Sequence, residues 1–65
     1  MHKSLEIERL LLTPREASHA LHISERNLWG LTASREIPCV RIGRLVRYDI
    51  HDLTEWIELR KGASV

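Results

Sequence analysis

Arginine is the residue type through which this sequence is best equipped to do chemistry. Arg41, Arg44 and Arg47 recur every third residue within an acid-free stretch from Ile37 to Tyr48, and Arg26 stands beside Asn27. A guanidinium neutralises phosphate, so the recurring arginines point to a polyanion. Other chemistries have poorer residue sets. His19 and His22 lie three apart and could meet Cys39, but the spacing does not match a metal site and a fourth ligand is missing. Ser24, His51 and Asp52 contain the residue types of a hydrolytic triad, yet Ser24 sits where a helix cap is needed and Asp52 lies beside another cap. No glycine-rich phosphate loop is present, and Gly43 belongs to a turn. Neither an enzyme, a cofactor nor a metal is expected.

The chain around these residues is short. With 65 residues it buries only about 60% of the surface its unfolded form exposes, which leaves no room for a Rossmann sheet or a β/α barrel. At 43% hydrophobic and 29% charged residues the composition is globular. Cys39 is the only cysteine, so an internal disulfide and a cysteine-rich zinc module are excluded. No apolar run approaches the ~18 residues of a membrane span. The start, MHKSLEIERLLL, alternates charges and lacks a small-residue cleavage site, so no signal peptide and a cytoplasmic location are expected. Net charge is only +1, but it is segregated: Ser24 to Tyr48 carries +3 and the remainder −2. Segregation matters more for a charged partner than the total.

Three helix starts must position these side chains. Thr13-Pro14-Arg15-Glu16 is a capping box with proline at the first helical position, and Leu12 and Ala17 stand as a staple. Ser24-Glu25-Arg26-Asn27 follows with Ile23 and Leu28, and Asp49-Ile50-His51-Asp52 with Tyr48 and Leu53. The first helix is predicted over Pro14 to Leu21, burying Ala17, Ala20 and Leu21. The second runs from Glu25 to about Ala33 with Leu28 and Leu31 inward, roughly 14 Å long. His22 and Ile23 alone separate the two, which reads as a helix-turn-helix. The last helix, Ile50 to about Arg60, buries Ile50, Leu53, Ile57 and one side of Trp56, with Gly62 as its C-cap. Its outer face is acidic, so it should sit away from nucleic acid. Trp29, Tyr48 and Trp56 are read as core. Leu10 to Leu12 is a candidate short strand, and Met1 to Ser4 are expected to be loose.

Between the second and third helices, residues 39–48 read as a hairpin. A three-residue loop, Gly43 to Leu45, pairs Ile42 with Val46, Val40 with Tyr48 and Arg41 with Arg47. One face is then apolar and the other cationic, so the pattern selects this register over a two-residue turn. Its cost is two like charges directly opposite each other, which a polyanion would offset. The whole is mostly α with a small β-hairpin, in the order of a winged helix-turn-helix. Domain boundaries are set at 1–10 for an N-terminal extension, 11–61 for the domain and 62–65 for a tail.

The segment LLTPREASHALHISERNLWGLTASREIPCVRIGRLVRYDIHDLTEWI resembles the excisionase/MerR-type helix-turn-helix family of small bacterial and phage proteins. The resemblance rests on Leu-Thr-Pro-Arg-Glu-Ala at the start, Ile-Ser at the turn, Glu36-Ile37-Pro38, Val40-Arg41-Ile42-Gly43, and Asp52-Leu53 with Trp56. It implies a second helix whose N-terminal half enters the major groove of double-stranded DNA, with Glu25, Arg26 and Asn27 at the bases and Trp29 beside the backbone. Thr13 and Arg15 would meet phosphate at the start of the first helix, although Thr13 is equally explained as a cap alone. Arg35, Arg41, Gly43, Arg44 and Arg47 complete the expected set, the wing arginines supplying affinity and Arg26 with Asn27 sequence choice. The chain also departs from the family pattern. Many relatives carry basic residues where it has Gly30 and near Ala33, and a glycine where it has Arg35. Gly30 costs about 1 kcal/mol in a helix interior, and Arg35 partly replaces the lost charge. Leu45 at the wing tip reads either as a minor-groove contact or as a partner contact.

Two functions remain in view. One is a DNA-binding protein of excisionase or transcriptional-regulator type, nucleoid-associated when bound. It would be monomeric in solution, since no long dimerisation helix follows Gly62, and would work with neighbouring copies on DNA or an integrase or recombinase. The other is a protein-interaction adaptor that keeps the fold and uses Trp29, Leu45 and the acidic helix.

Overall fold

The computed structural model of the protein describes residues 10–63. The loose start expected at Met1 to Ser4 lies outside the described residues. The elements run β1 (Leu11–Leu12), α1 (Pro14–Leu21), α2 (Glu25–Ala33), β2 (Val40–Ile42), β3 (Leu45–Asp49) and α3 (Ile50–Ala63). The strands form an antiparallel sheet in the order β1-β3-β2, with Leu11 opposite Asp49 and Leu12 opposite Tyr48.

Local grammar accounts for each helix start. Thr13 Oγ1 accepts from the Glu16 amide at 3.1 Å, and Glu16 Oε1 accepts from the Thr13 amide at 3.0 Å, completing the capping box. Ser24 Oγ accepts from the Asn27 amide and Asp49 Oδ1 from the His51 amide, so all three predicted caps are made. The first two helices stop in the same way. The Ile23 amide reaches back to the Ser18 carbonyl and the Glu36 amide to the Leu31 carbonyl. Each closure holds one residue in the left-handed region, His22 at φ 60° and Arg35 at φ 62°. The last helix runs through Gly62 to Ala63, so Gly62 is not its cap.

The hairpin corrects the predicted register. Val40 faces Arg47, Arg41 faces Val46 and Ile42 faces Leu45 across a two-residue turn, Gly43-Arg44, rather than the three-residue loop. Gly43 at φ 62° provides the positive φ that a type II′ turn requires at its first central position. Two physical reasons favour this arrangement. It removes the direct opposition of Arg41 and Arg47, and only the base of the hairpin lies over the core, so β2 has no need to sort its faces. Arg41 and Ile42 are both exposed, and only Val40 is half-buried.

Ala17, Leu28, Ile37, Val46, Tyr48 and Leu53 form the core, with Leu12, Leu21, Ile23, Leu31, Cys39 and Trp56 packed around it. Four predicted core residues lie outside it, Trp29 on α2 among them. Ala20 falls on the flank of α1, because Ala17 and Leu21 already fill its narrow inner stripe, and Ile50 and Ile57 flank the Leu53–Trp56 side of α3. In exchange, Ser18 and Thr32 are buried. Ser18 Oγ donates to the Arg15 carbonyl, and Thr32 Oγ1 donates to the Leu28 carbonyl at 2.8 Å. Because the Thr32 proton is committed there, the Tyr48 hydroxyl, 2.6 Å away, donates to Thr32 Oγ1.

That chain of bonds makes an asymmetric prediction. Tyr48→Phe leaves Thr32 its own donation and should cost about 1 kcal/mol. Thr32→Val leaves the buried Tyr48 hydroxyl without an acceptor and should cost about 1–3 kcal/mol. Urea denaturation of both variants checks the order, and a larger loss for Tyr48→Phe contradicts it.

Candidate nucleic-acid interface

α2 presents its candidate reading residues because of where its apolar residues fall. Leu28 and Thr32 are buried and Leu31 half-buried, which fixes one side of the helix against the core. At roughly 3.6 residues per turn, Arg26, Gly30 and Ala33 then form the stripe pointing directly outward, with Trp29 on one flank and Asn27 on the other. Glu25, Arg26 and Asn27 are all exposed in the first turn. Arg26, Asn27, Ile23, Gly30 and Leu31 line one shallow groove. A Cβ added at Gly30 would meet nothing within 4 Å, so no close approach demands the glycine. Trp29 is 45% exposed and does not belong to the core as predicted.

The remaining candidates divide between the helix ends and the wing. Thr13 is engaged in its capping box, while Arg15 is exposed and lines a shallow groove with Leu12, Glu16 and His19. Arg44 occupies the turn tip beside Gly43. Arg47 is half-buried and its Nη1 donates to the Val46 carbonyl at 2.8 Å. Because of the two-residue turn, Arg41 and Arg47 lie on opposite faces of the hairpin and not on the single cationic face predicted. Ile42 and Leu45 instead sit opposite each other near the tip, each 52% exposed. Arg35 and Arg41 line a common groove at the base of the wing.

Five guanidinium groups, those of Arg15, Arg26, Arg35, Arg41 and Arg44, have no hydrogen-bond or ion-pair partner among the described residues. Arg60, by contrast, lies over the Trp56 ring at 4.7 Å from its centroid. The acidic side chains of α3 belong to a helix that Trp56 braces, its Nε1 donating to the Glu36 carbonyl at 2.7 Å. Among the described residues no three His, Cys, Asp or Glu side chains gather to hold a metal, His19, His22 and Cys39 included. No described helix is long and apolar enough to cross a membrane.

Sequence reasoning missed two participants here. The buried Thr32, which anchors α2 to the sheet, gives no local signal, because a threonine seven residues into a helix looks the same exposed or buried. The left-handed backbone at Arg35 leaves none in the chain's own residues, since no glycine or asparagine stands at that turn. No curated protein and no solved structure matches the chain. A family model described as a helix-turn-helix domain matches residues 11–61, from β1 to all but the last two residues of α3. The match takes in most of the sequence and all three helices, and the chain belongs to the helix-turn-helix domain family of DNA-binding proteins.

Proposed function

We propose that this protein reads a specific duplex sequence as an excisionase or a transcriptional regulator, with α2 in the major groove and the β2–β3 wing on the backbone or minor groove. The observation that carries the reading is Arg26, exposed and unpaired among the described residues, on the outward stripe of α2 beside Asn27. An exposed arginine with no internal partner is free to fork onto guanine O6 and N7, and the neighbouring carboxamide onto adenine. Arg44 at the wing tip and Arg41 on β2 are likewise free for phosphates. Arg47 contributes charge while its head group braces the wing. Glu25 accepts from cytosine at most, and Trp29 lies where a sugar-phosphate strand would pass the helix flank. The role is binding rather than catalysis. In the excisionase version the protein partner is an integrase or recombinase.

The adaptor reading draws on a different observation, the exposed apolar groups Trp29, Ile42 and Leu45. Selection from a randomised duplex pool, followed by a salt series on the winning site, separates the two. DNA binding releases counterions and weakens steeply with salt, whereas an apolar protein contact does not.

Three outcomes are expected. Arg26→Ala should cost ~1–3 kcal/mol on the selected site and much less on random duplex, read by fluorescence anisotropy. Arg44→Ala should weaken binding to all duplexes alike and flatten the slope of log K against log salt by about 0.9; Arg47→Ala should add a loss of thermal stability, since it also gives up the bond to Val46. Equal losses on specific and random DNA for Arg26→Ala would falsify this division of labour. Sedimentation without DNA should give a monomer, with a lone module of ~600–1,000 Å² of DNA contact gaining specificity from neighbouring copies. A tight dimer at micromolar concentration contradicts that.

A further inference from the structure

We infer that the groove between the end of α2 and β2 is a seat for one backbone phosphate of duplex DNA, clamped jointly by Arg35 and Arg41. The inference rests on the DNA-binding reading above and adds a site to it. The groove has a volume of about 440 Å³, and the two arginines reach it from different elements, one from the α2–β2 loop and one from β2. Neither guanidinium has a partner among the described residues. The groove carries these two guanidiniums and one carboxylate, Glu36, whose Oε2 accepts from Ser34 Oγ at 2.7 Å, so the formal charge of the groove stays net positive. Buried Thr32 and Ile37 and half-buried Cys39 line the groove beside the two exposed arginines. The groove also lies between α2 and the wing, the two elements proposed to straddle DNA.

Arg35 carries the argument further. Its backbone sits at φ 62°, where an L side chain is disfavoured and glycine is at ease. A long charged side chain at such a position lowers stability and, among the described residues, makes no bond that offsets the loss. An external anion supplies the missing partner. His22 at φ 60° is the natural control, being the same helix closure without the groove.

The test uses the intact chain with Arg35→Gly, Arg35→Gln, Arg41→Ala, the Arg35→Gly/Arg41→Ala pair and His22→Gly. Each is measured for thermal midpoint and for duplex binding over a chloride series at pH 8. Arg35→Gly should raise the midpoint by about 4 °C while weakening duplex binding severalfold and flattening the salt slope by about 0.9. Arg35→Gln should lose the same slope without the gain in midpoint. His22→Gly should gain midpoint with binding unchanged. Since the clamp needs both guanidiniums to hold its one phosphate, each single variant already releases it, and the double variant should lose about 0.9 of slope again, not twice that. A scan of single neutral methylphosphonates should find one position that weakens the parent and leaves the double variant unaffected. If the parent binds duplex with steep salt dependence but Arg35→Gly and Arg35→Gln keep its slope, the clamp is wrong and the DNA-binding reading stands. A double variant that loses two full units also overturns it, because the arginines then hold separate phosphates. If the parent shows no salt-dependent duplex binding, both fall together.

Discussion

The hydrogen bond from the Tyr48 hydroxyl to Thr32 Oγ1 is the joint on which the architecture turns. Tyr48 lies on β3, the central strand, fully buried between the helices. Its phenol spans the core and ends on the one hydroxyl that α2 sends inward, which itself is tied to the Leu28 carbonyl. A buried phenol without an acceptor is costly, so the bond fixes both the rotation of α2 about its axis and its distance from the sheet. That rotation decides which α2 residues point outward. The identity of Arg26, Gly30 and Ala33 as the outward stripe follows from an interaction on the opposite side of the helix.

A second layer of constraint sits in the connection between α2 and the wing. The Trp56 indole donates to the Glu36 carbonyl, holding the loop against α3, while the left-handed turn at Arg35 ends the helix abruptly and sends the chain back toward the sheet. The wing base is therefore pinned from α2 and from α3. Its tip is free, carrying Arg44 and the Ile42–Leu45 pair into solvent. Asp52 and Glu55 of α3 line a groove that shares Pro38 with the groove of Arg35 and Arg41, so acid and base adjoin at the wing base while Arg44 stands at the tip.

What was legible in the sequence was local. Thr13, Ser24 and Asp49 announce their helices because a cap acts over three residues, and α1 and α2 have the predicted bounds for that reason. What depended on the third dimension was harder to read. The hairpin register was argued as though each face needed a single character, yet only β3 is central and β2 is an edge with little core above it. Ile50 and Ile57 share the helical period of Leu53 but flank the stripe that touches β3. Thr32 and Tyr48 lie sixteen residues apart, and nothing in either neighbourhood announces the other. The candidate site was legible as a set of residue types. How the arginines divide between the two faces of the wing was not, since that followed from the register.

The two-residue strand β1 has a bearing on how the chain folds. It pairs Leu11 and Leu12 with Asp49 and Tyr48, so its few bonds close a loop containing both helices of the helix-turn-helix and the whole wing. Closing a loop of that length loses far more chain entropy than forming a helical turn or a tight hairpin, and two residues of pairing return little until the core beneath them exists. The helices and the hairpin can nucleate on their neighbours, whereas β1 can only dock on a sheet already made. It is a clasp fastened last, and the same economy makes it the first element to open when the domain begins to unfold.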